Sequence, residues 1–311
     1  MKALAIDLGG THATLALLDD ATIVDSRALD LDSAQGLATV LPLFADTLRS
    51  LMKDHALAPA DLAGIGFGSC GLIDSTTGRV LSTNQKWDDA TSLDLPRWGM
   101  ETLGLRLRIE NDARMALLGE WYAGAARGCD DVVMITLGTG IGGAAMMGGK
   151  LLHGKHSQAG NLGGHIPVLF NGRQCTCGNI GCAEAEAAGW SLPYVLKEWP
   201  GFASSRMANE PLNFERLFHW AQQGDRVAVE VRDRCLRVWA ADAVGLVHSF
   251  DPEMFVIGGG VMRSADVILP FVEEFVQKHA WTPWGKVKVR GAELGNHAGL
   301  LGAIPLLRQQ S

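Results

Sequence analysis

Cysteine is scarce in this chain: six thiols, at positions 70, 129, 175, 177, 182 and 235, are spread over 311 residues. That excludes a disulfide-built scaffold, and cysteines as close as a C-x-C pair bridge each other poorly. Long basic runs are missing too. With 27 Lys and Arg against 34 Asp and Glu, the formal net charge is −7, which argues against nucleic acid as the main partner. No apolar run is long enough for a membrane. The longest uncharged stretch, residues 132–149, is crowded with glycine and threonine and reads as strand, turn, strand. At the N-terminus, MKALAIDLGGT places Asp7 and two glycines directly behind a short apolar stretch, which is no signal-peptide core. What these absences leave is a soluble, cytoplasmic protein. Its composition is ordinary, 47% hydrophobic and 20% charged, and its length lets it bury a core without disulfides.

Three of the six thiols are concentrated in one place. From His165 to Glu184 the chain reads H-x9-C-x-C-G-N-I-G-C-A-E. An imidazole nitrogen and three thiolates, from His165, Cys175, Cys177 and Cys182, are the ligand set of a tetrahedral zinc ion. Gly178 and Gly181 allow the tight turns that bring sulfurs at such short spacing together. All four positions would be filled by protein, so the site reads as closed and structural rather than catalytic. Cys70, Cys129 and Cys235 read as ordinary buried thiols.

Residues 2–6 form a short apolar strand ending in Asp7. Gly9-Gly10-Thr11 turns the chain into a second apolar strand, 13–18. Leu37, Val40, Leu41, Phe44, Leu48 and Leu51 fall on one face of a helix within 35–57. Strands follow at 63–68 and 105–109, the latter delivering Glu110-Asn111-Asp112 to its end ahead of a helix over 113–126. Then the pattern restarts, with a strand at 131–137, a glycine-threonine turn at 138–143 and a return strand from 144. Two strand-turn-strand units, at 3–18 and 132–147, suggest two related α/β lobes. The expected boundaries are 1–112 for a small first lobe, with a closing helix near 298–311 packing on it, and 113–297 for a larger lobe carrying the zinc loop. Residues 212–249 read as mostly helical, 253–257 as a buried strand running into Gly258-Gly259-Gly260, and 264–278 as a helix.

Both glycine turns fit phosphate binding. Glycine lets backbone N–H groups approach an anion, and a threonine hydroxyl adds a donor. The first comprises Asp7, Gly9, Gly10 and Thr11, with Asp7 able to hold magnesium through water. The second comprises Gly138, Thr139 and Gly140. Each is equally a plain hairpin turn taken alone. Although Gly138, Gly140 and Gly143 match G-x-G-x-x-G, a return strand follows where a dinucleotide site requires a helix. Asp112, between a strand and a helix, is placed as a general base for phosphoryl transfer. Asn111 or Asp112 equally fits a helix N-cap. Gly258 and Gly259 would let an adenine or ribose lie against backbone, or serve only a close strand-helix turn.

Taken together, D-L-G-G-T at 7–11, E-N-D-A at 110–113, L-G-T-G-I-G-G at 137–143, G-H-I-P-V at 164–168, C-T-C-G-N-I-G-C-A-E at 175–184, I-G-G-G-V at 257–261 and L-G-N-H-A-G-L-L-G-A at 294–303 resemble the ROK family of sugar kinases and sugar-responsive repressors. The resemblance implies a two-lobed actin-like ATPase fold of the hexokinase and ribonuclease H-like kind, with a bound structural zinc. It implies phosphorylation of a hexose by ATP with Mg2+, usually at the 6-hydroxyl, in a homodimer or homotetramer. Asp112 would be the base. Asn84, Asn111, His165 and Glu184 would contact sugar, and His165 would also ligate zinc. The stretch Gly71-Leu72-Ile73-Asp74 would belong to the sugar side.

Two positions depart from the family pattern. E-x-G-H is replaced by Asn161-Leu162-Gly163-Gly164-His165, so an acid is lost where the family contacts sugar; asparagine can donate as well as accept. His12 stands where Lys or Arg commonly follows G-G-T. The loss of the acid raises the alternative of a catalytically weakened sugar-binding protein, against which the retained Asp112 and both phosphate turns argue. A repressor is the other alternative, and Asp7 stands too near the start for a preceding DNA-binding domain.

Overall fold

An almost wholly buried strand, β1 (Lys2–Leu8), forms the centre of the first sheet, as its continuous apolar run demands. The computed structural model describes residues 1–83 and 85–309. Antiparallel to β1 runs β2 (His12–Asp19), with Asp7 opposite Thr14 and Leu8 opposite Ala13. Next comes β3 (Thr22–Asp30), whose residues alternate between exposed and half-buried as on an edge strand. On the other side of β1, β4 (Ile65–Ser69) runs parallel to it. A small hairpin of β5 (Leu72–Asp74) and β6 (Arg79–Ser82) intervenes before β7 (Leu107–Asn111), which lies parallel to β4. The sheet order is β3-β2-β1-β4-β7. Because β1, β4 and β7 are parallel and in register, their C-terminal ends share one edge. Leu8 pairs with Ser69, and Ser69 with Asn111. Ligands of parallel sheets bind beyond such ends.

Helix α1 (Leu37–Asp54) buries the six residues that its periodicity predicts. Its first two amides, Leu37 N–H and Ala38 N–H, donate to the Asp89 carboxylate at 2.6 and 2.8 Å, a cap supplied from 52 and 51 residues away that local sequence does not show. Helix α2 (Leu95–Leu103), begun by the Asp94 side chain and ended by Gly104 in the left-handed region, was not foreseen. Helix α3 (Asp112–Ala123) follows β7 without a break.

The chain divides into two units that differ from the expected boundary. Met1–Gly128, His153–Ala159 and Glu293–Ser311 form the first; Cys129–Leu152 and Gly160–Ala292 form the second. The break falls after Gly128 rather than after residue 112 because α3 packs on the closing segment. A Cβ on Gly119 would strike the Ala298 backbone, and one on Gly302 the Met115 carbonyl. That segment forms two short helices, Ala298–Leu301 and Ala303–Arg308, rather than one.

The second unit repeats the sheet. Strands β8 (Val132–Leu137) and β9 (Ile141–Met147) form the hairpin, β10 (Lys150–Leu151) extends it, and β11 (Met254–Gly258) and β12 (Lys288–Gly291) lie parallel to β8 on its other side. The order β10-β9-β8-β11-β12 mirrors the first sheet strand for strand, which bears out the repeat at 3–18 and 132–147. Helices α4 (Ala183–Ala187), α5 (Leu192–Glu198), α6 (Phe214–Gln222), α7 (Arg226–Phe250) and α8 (Ala265–His279) belong to this unit. Among the described residues no helix is long and apolar enough to cross a membrane.

Candidate active site and metal centre

In the first unit, the edge where β1, β4 and β7 end gathers the candidate residues Asp7, Asn111 and Asp112. Asn111 is the N-cap of α3, with its Oδ1 accepting from Ala113 N–H and Arg114 N–H at 2.9 and 3.2 Å. Its Nδ2 donates to the Gly71 carbonyl at 3.0 Å and to Asp112 Oδ1 at 2.9 Å. Both amide hydrogens and its carbonyl are thereby engaged within the unit. Asn111 is therefore the cap, and Asp112 is the residue that the cap orients. Asp112 Oδ1 also accepts from Ala113 N–H at 2.9 Å, so both of these bonds fall on one of its two oxygens. Crowding by surrounding protein raises the Asp112 pKa above the ordinary carboxylate range, against the opposing pull of Ala113 N–H, the Lys86 charge and the Asn111 amide.

Asp7 lies at the end of β1. Its carboxyl packs so closely on Gly299 that a Cβ there would sit 2.9 Å from Oδ2. Burial first, and the Asp112 charge second, push Asp7 up to about 7. Two neighbouring carboxyls with elevated pKa values form an anionic pair that a cation would relieve, which fits Asp7 for a water-mediated magnesium. The turn beyond it is closed by Gly9 N–H donating to His12 O at 2.9 Å. Thr11 is exposed at the tip, 3.4 Å from the His12 ring. The expected sugar ligand Asn84 lies outside the described residues. Asp74 accepts from the Thr76 amide and the Thr77 hydroxyl, a local turn role.

Behind Asn111 stands a network that the sequence reading did not find. Glu110 and Arg114 are both fully buried and paired at 3.4 Å, and His153 Nε2 lies 2.6 Å from Glu110 Oε2. Arg114 donates onward to the Ser157 and Ala159 carbonyls at 2.9 Å. These bonds fasten the returning segment 153–159 to the root of Asp112.

In the second unit, the turn after β8 holds Gly138, Thr139 and Gly140. Gly189 N–H and Trp190 N–H donate to the Gly138 and Thr139 carbonyls at 2.9 Å. Glu184 Oε2 accepts from Ile141 N–H at 2.8 Å and Oε1 from the Trp190 indole at 3.3 Å. A Cβ on Gly140 would lie 2.6 Å from Glu184 Oε2, so a side chain there would push the Glu184 carboxylate aside. A cavity of about 480 Å³ opens beside this turn, lined by Gly138, Thr139, Gly189, Trp190, Asn213, Phe214, Glu215, Gly260, Val261, Arg263 and Ser264. Of the 258–260 glycines, Gly260 forms cavity wall, whereas Gly258 and Gly259 do not. A Cβ on Gly259 would strike the Leu137 backbone, so that glycine serves the close approach of β11 to β8. The α6 start, Asn213 to Glu215, had no signal in sequence beyond an N-cap asparagine.

His165, Cys175, Cys177 and Cys182 converge, with one ligand atom from each lying within 4.8 Å of all the others. Cys177 Sγ and Cys182 Sγ are 3.7 Å apart, and Cys175 Sγ and His165 Nδ1 are 3.5 Å apart. Zn–S bonds of about 2.3 Å and Zn–N bonds of about 2.0–2.1 Å give tetrahedral edges of roughly 3.5–3.8 Å. The donor set and its spacing thus fit zinc. Gly178 and Gly181 have φ of +91° and +70°, the left-handed turns that their positions required. Glu186 braces the loop from behind, accepting from Arg173 N–H at 2.5 Å and from Arg234 of α7. Nearby, the Asn161 Oδ1 is buried with no hydrogen-bond partner.

The sequence matches the ROK family over residues 3–310. A glucokinase from Thermotoga maritima is 33% identical over 318 residues, covering 100% of this chain and 98% of that protein. A ROK family glucokinase from Streptomyces griseus, solved in complex with glucose and AMPPNP, superposes with a TM-score of 0.80 at 28% identity, with 100% of each chain covered. A putative xylose repressor from Caldicellulosiruptor sp. is 26% identical over 98% of this chain and 77% of its own length.

Proposed function

This chain belongs to the ROK family and has its actin-like ATPase fold, and from that premise we propose that it is a sugar kinase that transfers the γ-phosphoryl group of ATP to a hexose or hexose derivative, at the 6-hydroxyl. The observation that carries the reading is Asp112. One of its oxygens is fixed by Asn111 and Ala113 N–H, the other is open, and its affinity for a proton is raised at the end of parallel strands beside the Asp7–Thr11 turn. As the sugar oxygen bonds to Pγ, the bond from Pγ to the β,γ-bridging oxygen breaks. ADP leaves with that electron pair, and the hydroxyl proton passes to Asp112 Oδ2.

The Asp7, Gly9, Gly10 and Thr11 turn and the Gly138, Thr139 and Gly140 turn are proposed to hold phosphates, and the cavity beside the latter to take the nucleoside, its volume being in the range of small-molecule sites. Magnesium bound with ATP would spread the phosphate charge, and Asp7 would hold it through water. His165 and Glu184 are the proposed sugar ligands of the second unit. Glu184 keeps lone pairs beyond those it gives to Ile141 and Trp190. With Nδ1 turned to the thiols, His165 has Nε2 left for a hydroxyl. Zinc here would be structural, since four protein ligands leave no open position.

The test is ADP release on mixing the protein with ATP, Mg2+ and a panel of hexoses and N-acetylated hexosamines. At least one sugar should stimulate release well above the sugar-free rate. A flat panel, with sugar binding still detectable by calorimetry, would reject the kinase in favour of a sugar-binding protein.

A further inference from the structure

The Asp7–His12 turn presents acid and no Lys or Arg of its own sequence, D-L-G-G-T-H. A γ-phosphate drawn there would meet two carboxyls, Asp7 and Asp112. A cation does reach the turn, from a segment far away in sequence. The side chain of Lys86 crosses the face of Gly10: a Cβ on that glycine would lie 2.8 Å from Lys86 Cδ, 2.9 Å from Cε and 3.1 Å from Nζ. Glycine at position 10 leaves room for the lysine, since a side chain there would displace it.

The placement of Lys86 is built rather than incidental. Its neighbour Trp87 is 1% exposed and donates its indole N–H to the Gly9 carbonyl at 2.8 Å, pinning this segment to the same turn. Gln85 and Trp87, on either side of Lys86, have φ of +59° and +57°. Non-glycine residues in the left-handed region are held there only when their surroundings dictate it, and such residues gather at functional sites. Lys86 itself is half-buried, and among the described residues no hydrogen bond or ion pair occupies its ammonium. Its charge nevertheless acts on Asp112 and on Cys70 at the end of β4, lowering the proton affinity of both.

We propose that Lys86 is a further catalytic residue, whose ammonium contacts the transferring phosphoryl group at the Gly9–Gly10 turn and offsets the charge that develops on its oxygens. The proposal rests on the kinase reading. In the step described above, Lys86 gives and takes no proton; it supplies a fixed positive charge opposite the two acids. Lysine suits this as a compact charge on a long stem, which here lies across Gly10.

Lys86→Ala and Lys86→Arg are the variants to make. At saturating sugar and MgATP, Lys86→Ala should lower kcat by about 100-fold or more, with the sugar KM within about threefold, and Lys86→Arg should recover at least about tenfold of the loss. Binding gives a readout independent of turnover. The affinity for MgADP should stay within about twofold in Lys86→Ala, while that for a non-hydrolysable ATP analogue with Mg2+ should fall about tenfold. A kcat within threefold of wild type, a loss confined to sugar KM, or equal weakening of ADP and the analogue would each overturn the assignment. Should Lys86→Ala unfold, the arginine variant and Lys86→Gln carry the same comparison. Absence of ADP formation by the wild-type protein across the sugar panel would sink the kinase reading instead, and the analogue-against-ADP comparison would still decide whether Lys86 meets a γ-phosphate.

Discussion

The two units share one strand order, yet what stands at their strand ends differs. In the first, β7 ends in Asn111-Asp112, and the hairpin turn faces Asp7, Asp112 and Lys86. In the second, the topologically matching strand β12 ends in Gly291-Ala292, and β11 ends in Gly258-Gly259. There the turn is gripped from behind by Glu184 and the Gly189 and Trp190 amides. Repetition of the sheet therefore does not repeat the chemistry. A parallel sheet offers a place for a ligand beyond its strand ends; the one or two residues after each strand set the chemical groups found there. In the first unit they bring titratable charge. In the second they bring glycine beside a cavity, and the braced thiol cluster comes instead from the loop between β10 and α4.

The hardest test of that division is Asp112→Asn. It keeps the shape and the bonds to Asn111 and Ala113 on one oxygen but removes the base. Turnover should fall by about 10²–10⁴, with sugar affinity largely kept. Near wild-type turnover in steady-state assays would move the base elsewhere and remove the asymmetry between the units.

Zinc comes next. Elemental analysis of protein never exposed to chelator should give about one equivalent per chain. Cys177→Ser, which removes the exposed ligand of the four, or chelation should raise the sugar KM by about tenfold or abolish activity, because site energies of roughly 10–16 kcal/mol order such loops. ATP binding should partly survive. Less than about half an equivalent in fully active protein would defeat the structural role. A smaller effect is expected at the second turn. Gly140→Val forces a side chain toward Glu184 Oε2 and should raise the ATP KM by about tenfold or more, with the sugar KM rising too because Glu184 is a proposed sugar ligand. An unchanged ATP KM, in a folded variant, would count against a phosphate role for that turn.

The strength of signal in the sequence tracked how local the cause was. The β1–β2 and β8–β9 hairpins, the α1 face and the cysteine cluster could be read because a few adjacent residues specify each. Helix α2 escaped because only three of its residues are buried, and β12 because its four residues alternate around two lysine or arginine positions. Spacing alone fits both a helix cap at Asn111 or Asp112 and a base at Asp112. The structure gives the cap to Asn111 and leaves Asp112 open, a division between neighbours that spacing cannot make. Lys86 and the Glu110–Arg114–His153 network were invisible for a further reason. His153 reaches Glu110 from 43 residues away, Lys86 reaches the Gly9–Gly10 turn from another segment, and a lone lysine two residues after an asparagine carries no pattern.

The smallest expected effect separates a buried acid with work to do from one without. Asp7 has its pKa raised from 3.8 to about 7. Asp242, fully buried on α7 with neither oxygen hydrogen-bonded, is raised well above the ordinary value by desolvation. For both, the folded state holds the proton more tightly than the unfolded chain. Each therefore costs nothing below about pH 4, and stability is lost as pH rises toward the folded value. For Asp7 that window runs from about 4 to about 7. A move of that size would carry about 4 kcal/mol in a fully shielded group, and the partial exposure of Asp7 reduces this to about 1–2 kcal/mol. Asp7→Asn should thus stabilise the ligand-free protein by about that amount at pH 8 and scarcely at all at pH 4.5, measured by urea unfolding, while lowering its activity. Asp242→Asn should also gain stability as pH rises, with turnover unchanged. If Asp7→Asn gives no gain at pH 8, the first unit does not hold its acids under strain, and the contrast with the second unit would rest on Asp112 alone.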